Sequence, residues 1–221
     1  MTEPQIRVLL VDDHQVLREG LRLLLEGEED MVVVSEAGTG KDAIRLASEL
    51  HPDVIVMDLG LPDGNGINAI REIRSQERSV RIVVLSMYSD RELVMKALEA
   101  GSDGYVPKSS AHSDLLQAIR AVHIGQRYLH PIAATAVVDE MLEKQEGNQL
   151  LEILSERERE VLRLTAMGFT SRDIGDRLAL SPKTVDTYRQ RAMNKLELES
   201  RAELIRFALR AGLMEATDKD D

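Results

Sequence analysis

Apolar positions along the chain follow two regimes that change near Gly125. Before it, short unbroken apolar runs alternate with stretches whose apolar residues recur every three or four positions. The runs cover residues 6–11, 31–35, 54–57, 82–85 and 105–106. Unbroken runs of this length read as parallel strands covered on both faces. The intervening helical stretches are 15–26, 41–50, 67–74, 91–100 and 114–124, and in the first of them Leu17, Leu21, Leu24 and Leu25 should face the sheet. Five such units in succession predict an α/β domain with a doubly wound, five-stranded parallel sheet.

After Gly125 the strand pattern stops. Residues 132–144 read as one helix followed by a polar break at 145–149, so 125–151 is expected to be a linker with a helical segment. From Ser155 onward only helical patterns remain, at about 156–167, 171–178, 182–196 and 201–211. Three of these starts pair a hydroxyl with an acid three residues on (Ser155/Glu158, Thr170/Asp173, Ser200/Glu203), the pattern that satisfies the free N–H groups of a first turn. The fourth begins Ser181-Pro182, a cap followed by proline at the first helical position. The second domain is therefore all-α, with four short helices, followed by an acidic tail, 215–221.

Composition narrows the field. The chain has 221 residues, enough for two domains, and no cysteine, which excludes disulfides and thiolate metal sites. No apolar run approaches the roughly 20 residues of a membrane span. Met1-Thr-Glu-Pro-Gln lacks the basic start and apolar stretch of a signal peptide, so a cytoplasmic protein with no membrane partner is expected. A net charge of −11 argues against polyanion binding over the whole surface. It leaves room for a local basic face: residues 170–195 hold six basic and three acidic side chains.

The chemistry gathers where the strands end. Asp12 and Asp13 follow the first run, Asp58 the third, Ser86 the fourth and Lys108 the fifth. Sites in open parallel sheets lie outside the carboxyl ends of the strands, so these side chains should converge. Carboxylates 4–5 Å apart repel by about 3–4 kcal/mol per pair at an effective dielectric near 20. A compensating cation is needed, and Mg2+ suits an all-oxygen site that keeps waters for a phosphate. A metal, an ammonium and a hydroxyl around a carboxylate suit phosphoryl transfer to that carboxylate. Taken singly, an Asp or Ser at a strand end is more often a turn or helix cap; it is the coincidence of five such positions that points to a site.

These residues, in Val11-Asp12-Asp13-His14, the run from Met57 through Asp58, Gly60, Pro62 and Gly64 to Gly66, Leu85-Ser86 and Gly104-Tyr105-Val106-Pro107-Lys108, resemble the receiver domain of two-component response regulators. The resemblance covers residues 6–124 and marks 1–124 as a receiver. It implies a flavodoxin-like strand order, which belongs to the family and is not read from the apolar pattern. It implies that Asp58 accepts a phosphoryl group from a sensor histidine kinase. It also implies that Asp12, Asp13 and Asp58 hold Mg2+ with the Gly60 carbonyl, that Ser86 and Lys108 contact the phosphoryl oxygens, and that Tyr105 changes rotamer with Ser86. One departure is local: Ser109 follows the lysine where many receivers have proline.

In the helical module, residues 171–178 and 182–196 have helix-turn-helix spacing. Val185, Tyr188, Ala192 and Leu196 fall on one face of the second helix; Lys183, Asp186, Thr187, Gln190 and Asn194 fall on the other. A solvated face of a small bundle or a helix that enters the major groove would both look like this. The motifs around Leu154–Leu162, Gly168–Ile174, Leu180–Val185 and Asn194–Leu204 resemble the LuxR-type DNA-binding domain, over 152–214. The whole chain is thus similar to the NarL/FixJ subfamily of response regulators. That resemblance implies a bacterial transcription factor that binds double-stranded DNA as a homodimer, with RNA polymerase as a further partner. Asp186, Thr187 and Gln190 are expected to face bases, and Lys183, Arg189 and Arg191 to lie nearer phosphates. Thr170, Ser171, Thr184, Asn194 and Lys195 complete the expected interface. Asp186 and Tyr188 depart from the Lys and His common in the family, and Asp186 could accept from a cytosine amino group.

Two enzyme readings fare poorly. Gly38-Thr-Gly-Lys41 has the end of a nucleotide-binding phosphate loop, but Ser35 stands at its first glycine and Asp42 at its hydroxyl position. An aspartyl phosphatase usually carries a second acid two residues after its nucleophile, where this chain has Gly60. The five histidines are scattered, without a helical i, i+4 pair for a metal. A non-enzymatic rival is a receiver whose helical module binds protein only.

Overall fold

The computed structural model describes residues 5–64, 66–76, 79–87 and 90–214; the expected acidic tail at 215–221 lies outside the described residues. The chain forms two compact units, 1–137 and 138–221.

In the first unit, strands β1 (Ile6–Val11), β2 (Met31–Ala37), β3 (Val54–Asp58), β4 (Arg81–Ser86) and β5 (Gly104–Pro107) form a parallel sheet. Its order is β2-β1-β3-β4-β5, extended at the β5 edge by a short strand, β6 (Tyr128–Leu129). Helices α1 (Gln15–Glu26), α2 (Gly40–Leu50), α3 (Gly66–Gln76), α4 (Arg91–Glu99) and α5 (Ala111–His123) cover it on both faces. Alternation along the strands divides the core. Val8, Leu10, Val54 and Val56 pack with Leu21 and Leu25 of α1 and Leu115, Ile119 and Val122 of α5. Leu9, Val11, Ile55 and Met57 face the other way, onto Ala43 and Ala47 of α2, Ile67 and Ile70 of α3, and Val94 of α4. Every residue of β3 is buried, as a central strand covered on both faces requires. Leu17 packs at the margin of its cluster, whereas Leu24 is only half buried.

Two expectations need correction. The sheet has six strands rather than five: Tyr128–Leu129 pairs with β5. Two residues are too few to show a period of two, so the pattern could not reveal them. The expected polar break at 145–149 does not exist. A single helix, α6, runs Pro131–Glu152. Gly147 sits within it because a Cβ there would come 2.9 Å from the backbone of Ala211, and Leu151 is buried in the core of the second unit. Tertiary packing overrides the weak helix propensity of that stretch.

The second unit contains α7 (Glu156–Ala166), α8 (Ser171–Leu178), α9 (Pro182–Lys195) and α10 (Arg201–Arg210). The three hydroxyl–acid pairs are reciprocal capping boxes, and Ser181 caps α9 ahead of Pro182. Val161, Leu164, Ile174 and Val185 form one small core. Leu162, Ala192, Leu196, Leu204 and Phe207 form another. Between α8 and α9 the chain turns through Ala179 in the left-handed region (φ 55°), and the Leu180 N–H returns to the Gly175 carbonyl at 2.9 Å. Gly175 is required there, since a Cβ would come 2.6 Å from the Leu180 oxygen.

Candidate functional site

The strand ends bring together the acids expected from the sequence. Asp58 is the last residue of β3 and Ser86 the last of β4, while Asp12 and Asp13 follow β1 directly. Lys108 opens a 3-10 turn, Lys108–Ser110, immediately after β5. Asp12, Asp58 and Ser86 are almost fully buried. Oxygens of Asp12, Asp13 and Asp58 and a ring nitrogen of His14 all lie within 4.8 Å of one another. This constellation depends on Gly66, the first residue of α3: a Cβ there would stand 2.2 Å from the Asp58 carbonyl oxygen.

Lys108 binds two of the acids at once. Its Nζ donates to Asp58 Oδ2 at 2.8 Å and lies 2.6 Å from Asp12 Oδ2. Burial works against the ammonium, but its contacts with the two carboxylates outweigh that and hold Lys108 above the ordinary lysine range. The second Asp58 oxygen, Oδ1, accepts the Gly60 N–H at 3.2 Å. Tyr105 is fully buried beside Ser86; burial raises its phenol and a hydrogen bond with Ser86 partly offsets this.

Three carboxylates against one ammonium leave two negative charges to be balanced. Asp12 Oδ2 is buried and, although close to Lys108, has no well-aligned hydrogen-bond donor. The donor set is rich in carboxylate oxygen. A buried carboxylate cluster, a deficit of two positive charges and hard ligands together fit a hard divalent cation.

Two residues near the site escaped sequence reasoning. The His14 N–H donates to Asp12 Oδ1 at 2.8 Å, and its Nδ1 stands 2.7 Å from Asp13 Oδ1. Adjacency to the acid pair was the available signal. Asp63, in the loop after Asp58, accepts the N–H groups of Gly40 and Lys41 at 2.9 and 3.0 Å, which draw its carboxyl below the usual range. Its carboxylate therefore occupies the first turn of α2, where a helix favours negative charge. The same bonds account for the Gly38–Lys41 look-alike: the N–H groups that a phosphate loop would offer to a nucleotide are held by a carboxylate of the chain itself.

In the second unit, α9 turns Val185, Tyr188, Ala192 and Leu196 inward and leaves Lys183, Asp186, Thr187, Gln190, Arg191 and Asn194 exposed. Several of the exposed groups bind one another. Asp186 Oδ1 accepts from Ser171 Oγ at 2.6 Å and from Arg189 Nη2 at 2.7 Å, and Arg189 Nη1 donates to Ser171 at 3.1 Å. Gln190 Nε2 donates to Asn194 Oδ1 at 2.9 Å. Thr187 Oγ1 donates to the Lys183 carbonyl at 2.9 Å, Thr184 shares a hydrogen bond with the cap Ser181 at 2.7 Å, and Thr170 caps α8. Lys195 stands apart from this set: its ammonium binds Glu158 at 2.7 Å and the Ile153 carbonyl at 3.3 Å, tying the end of α9 to the start of α7. The Lys195 contact, followed by the Ser155 N–H that donates to the same carboxylate at 2.9 Å, holds the Glu158 carboxyl below its usual range.

Comparison with known proteins identifies a family for each of the two units. Residues 8–120 match the family described as response regulator receiver domain, and residues 152–208 match bacterial regulatory proteins, luxR family. The chain is 36% identical over 211 residues to the response regulator GacA of Pseudomonas aeruginosa, covering 96% of this chain and 99% of that protein. A crystal form of the response regulator RcsB from Salmonella typhimurium superposes with a TM-score of 0.61 at 31% identity, over 95% of this chain and 99% of RcsB. A structure of two RcsB dimers bound to two parallel DNAs aligns with a TM-score of 0.56 at 29% identity, over 93% of this chain and 98% of that one.

Proposed function

The chain belongs to the two-component response regulators that join a receiver domain to a luxR-type DNA-binding domain, and from that premise we propose that phosphorylation of Asp58 controls how its helical unit binds DNA. Membership of this family makes it a regulator rather than a turnover enzyme. The observation that carries the proposal is the buried Asp58, bridged through Lys108 to Asp12 at the strand ends.

In the transfer step an Asp58 oxygen forms a P–O bond as the P–N bond to the imidazole of a sensor kinase breaks, and the departing imidazole nitrogen takes up a proton. Lys108 and Ser86 are placed to meet the new oxygens, and the Gly60 N–H to steady the carboxylate. Mg2+ would be held by Asp12, Asp13, Asp58 and the Gly60 carbonyl, and when bound it supplies positive charge to the phosphoryl oxygens. Phosphorylation adds charge and three acceptor oxygens. Lys108 and Ser86 are drawn toward them, and Tyr105 loses its bond to Ser86. Domain limits of 1–124, 125–151 and 152–214 go with this reading.

For DNA, α9 enters the major groove. Gln190 and Thr187 face bases, and Lys183 and Arg191 lie near phosphates. Asp186 and Arg189 first serve each other and Ser171, so DNA must exchange those bonds for its own. Two copies of the chain would take paired half-sites. No described helix is long and apolar enough to cross a membrane. The test is labelling with radioactive acetyl phosphate and Mg2+. Wild type should incorporate label and Asp58→Asn should not; equal labelling of the two overturns the assignment.

A further inference from the structure

The start of α6 is bonded from two sides to the segments that carry Tyr105 and Lys108. On one side, β6 pairs with β5, and the next residue, His130, donates its backbone N–H to the Tyr105 carbonyl at 3.0 Å. On the other side lies the His130 ring. Its Nδ1 accepts the Ile132 N–H at 3.3 Å, an N-cap bond on α6. Nε2 lies 3.3 Å from Ser110 Oγ and 3.7 Å from Asp114 Oδ2. Ser110 closes the 3-10 turn that Lys108 opens, and Asp114 lies in the first turn of α5.

Capping α6 needs only the Nδ1 side of this ring. The Nε2 side does nothing for the helix; it binds the turn that follows Lys108. We infer that His130 is a positioning residue that passes the state of the Asp58 site to α6, through Ser110 on one side and the Tyr105 carbonyl on the other. The inference rests on reading Asp58 as the phosphoacceptor. Added charge on Asp58 redirects the Lys108 ammonium, now shared between Asp58 and Asp12. A three-residue turn has no slack, so Ser110 moves with Lys108. The His130 ring, tied at Nδ1 to the helix it caps, transmits that movement to the first turn of α6. Ala133 and Ala136 in those turns share a core cluster with Tyr105. From there α6 continues unbroken to Glu152, within the DNA-reading unit.

The test uses the full chain as wild type, His130→Asn and Ser110→Ala. Asparagine is a good cap, so its oxygen can take the Ile132 N–H, but its side chain ends short of Ser110. Ser110→Ala removes the same contact from the other side and spares α5, whose first turn receives no cap bond from the Ser110 side chain. Two quantities are read: acetyl-phosphate labelling at Asp58, and affinity with and without acetyl phosphate for a duplex enriched from a random pool. Allosteric couplings commonly run about 5–150-fold. Both variants should melt and label like wild type while their ratio of phosphorylated to unphosphorylated affinity falls toward one. A full wild-type ratio in either variant overturns the inference and leaves His130 a helix cap only. Wild type that labels at Asp58 but shows no ratio removes the coupling His130 is said to carry. Wild type that fails to label overturns the phosphoacceptor reading itself.

Discussion

The strand-end site of the receiver unit and the exposed face of α9 hold their polar residues in opposite ways. In the receiver, the side chains of Asp12, Asp58 and Lys108 are 3–5% exposed, and each stands where a strand ends. In the helical unit, Asp186, Gln190 and Arg191 stand in solvent on one helix, and Asp186 is held by its neighbours. Buried charge must be balanced on the spot, so the receiver site announces its chemistry through its composition. Exposed charge is screened and exchanges partners at little cost, so residue type alone says less about which groups will turn to DNA.

Removing the receiver's cation should be the most damaging. Lys108→Ala leaves Asp12 and Asp58 facing each other unpaired, and breaking a buried pair typically costs about 3–5 kcal/mol. Thermal melting should show that loss, and millimolar Mg2+ should raise the melting temperature of the variant more than that of wild type. No Mg2+ response in either protein would mean that the site does not hold the metal. Gly175→Ala drives a Cβ to 2.6 Å from the Leu180 oxygen, and overpacking of this kind costs about 1–3 kcal/mol. That loss should appear in the melting of the helical unit with acetyl-phosphate labelling unchanged. A labelling defect would contradict the separation of roles.

On the exposed face, Gln190→Ala should remove about 1–3 kcal/mol of preference for a selected duplex over random DNA. Arg191→Ala should weaken both alike and flatten the salt dependence. Competition binding at two salt concentrations checks this; identical behaviour of the two variants would erase the division between base and phosphate contacts. The smallest effect concerns acid stability. The Glu158 carboxyl is held below its unfolded value, so its stabilisation is complete above that value, near 4.5, and is lost as pH falls toward the lower folded value. In Glu158→Gln, stability should vary less with pH below about pH 4.5 than in wild type, as urea titrations at several pH values would show.

Much of this was legible in the sequence, for physical reasons. Strands buried on both faces must be continuously apolar, so their ends, and with them Asp12, Asp58, Ser86 and Lys108, could be placed by counting. Capping boxes fixed the helix starts because the same residue types satisfy the same orphan N–H groups everywhere. What stayed hidden depended on distant partners. Residues 145–149 look like a break until Ala211 packs on Gly147. Tyr128–Leu129 is a strand only because β5 offers it an edge. The role of Asp63 depends on α2, more than twenty residues earlier. His130 has nothing in its own neighbourhood that marks it as facing Ser110.

Control of the helical unit's DNA affinity by the phosphoryl state of Asp58 is open to direct measurement. It is tested most directly by enriching a random duplex pool on the full chain with Mg2+ and acetyl phosphate, then titrating the selected duplex against wild type and Asp58→Asn, each with and without acetyl phosphate. Acetyl phosphate should change the affinity of wild type and leave that of Asp58→Asn unmoved; an equal change in both, or none in a fully labelled wild type, would contradict the account.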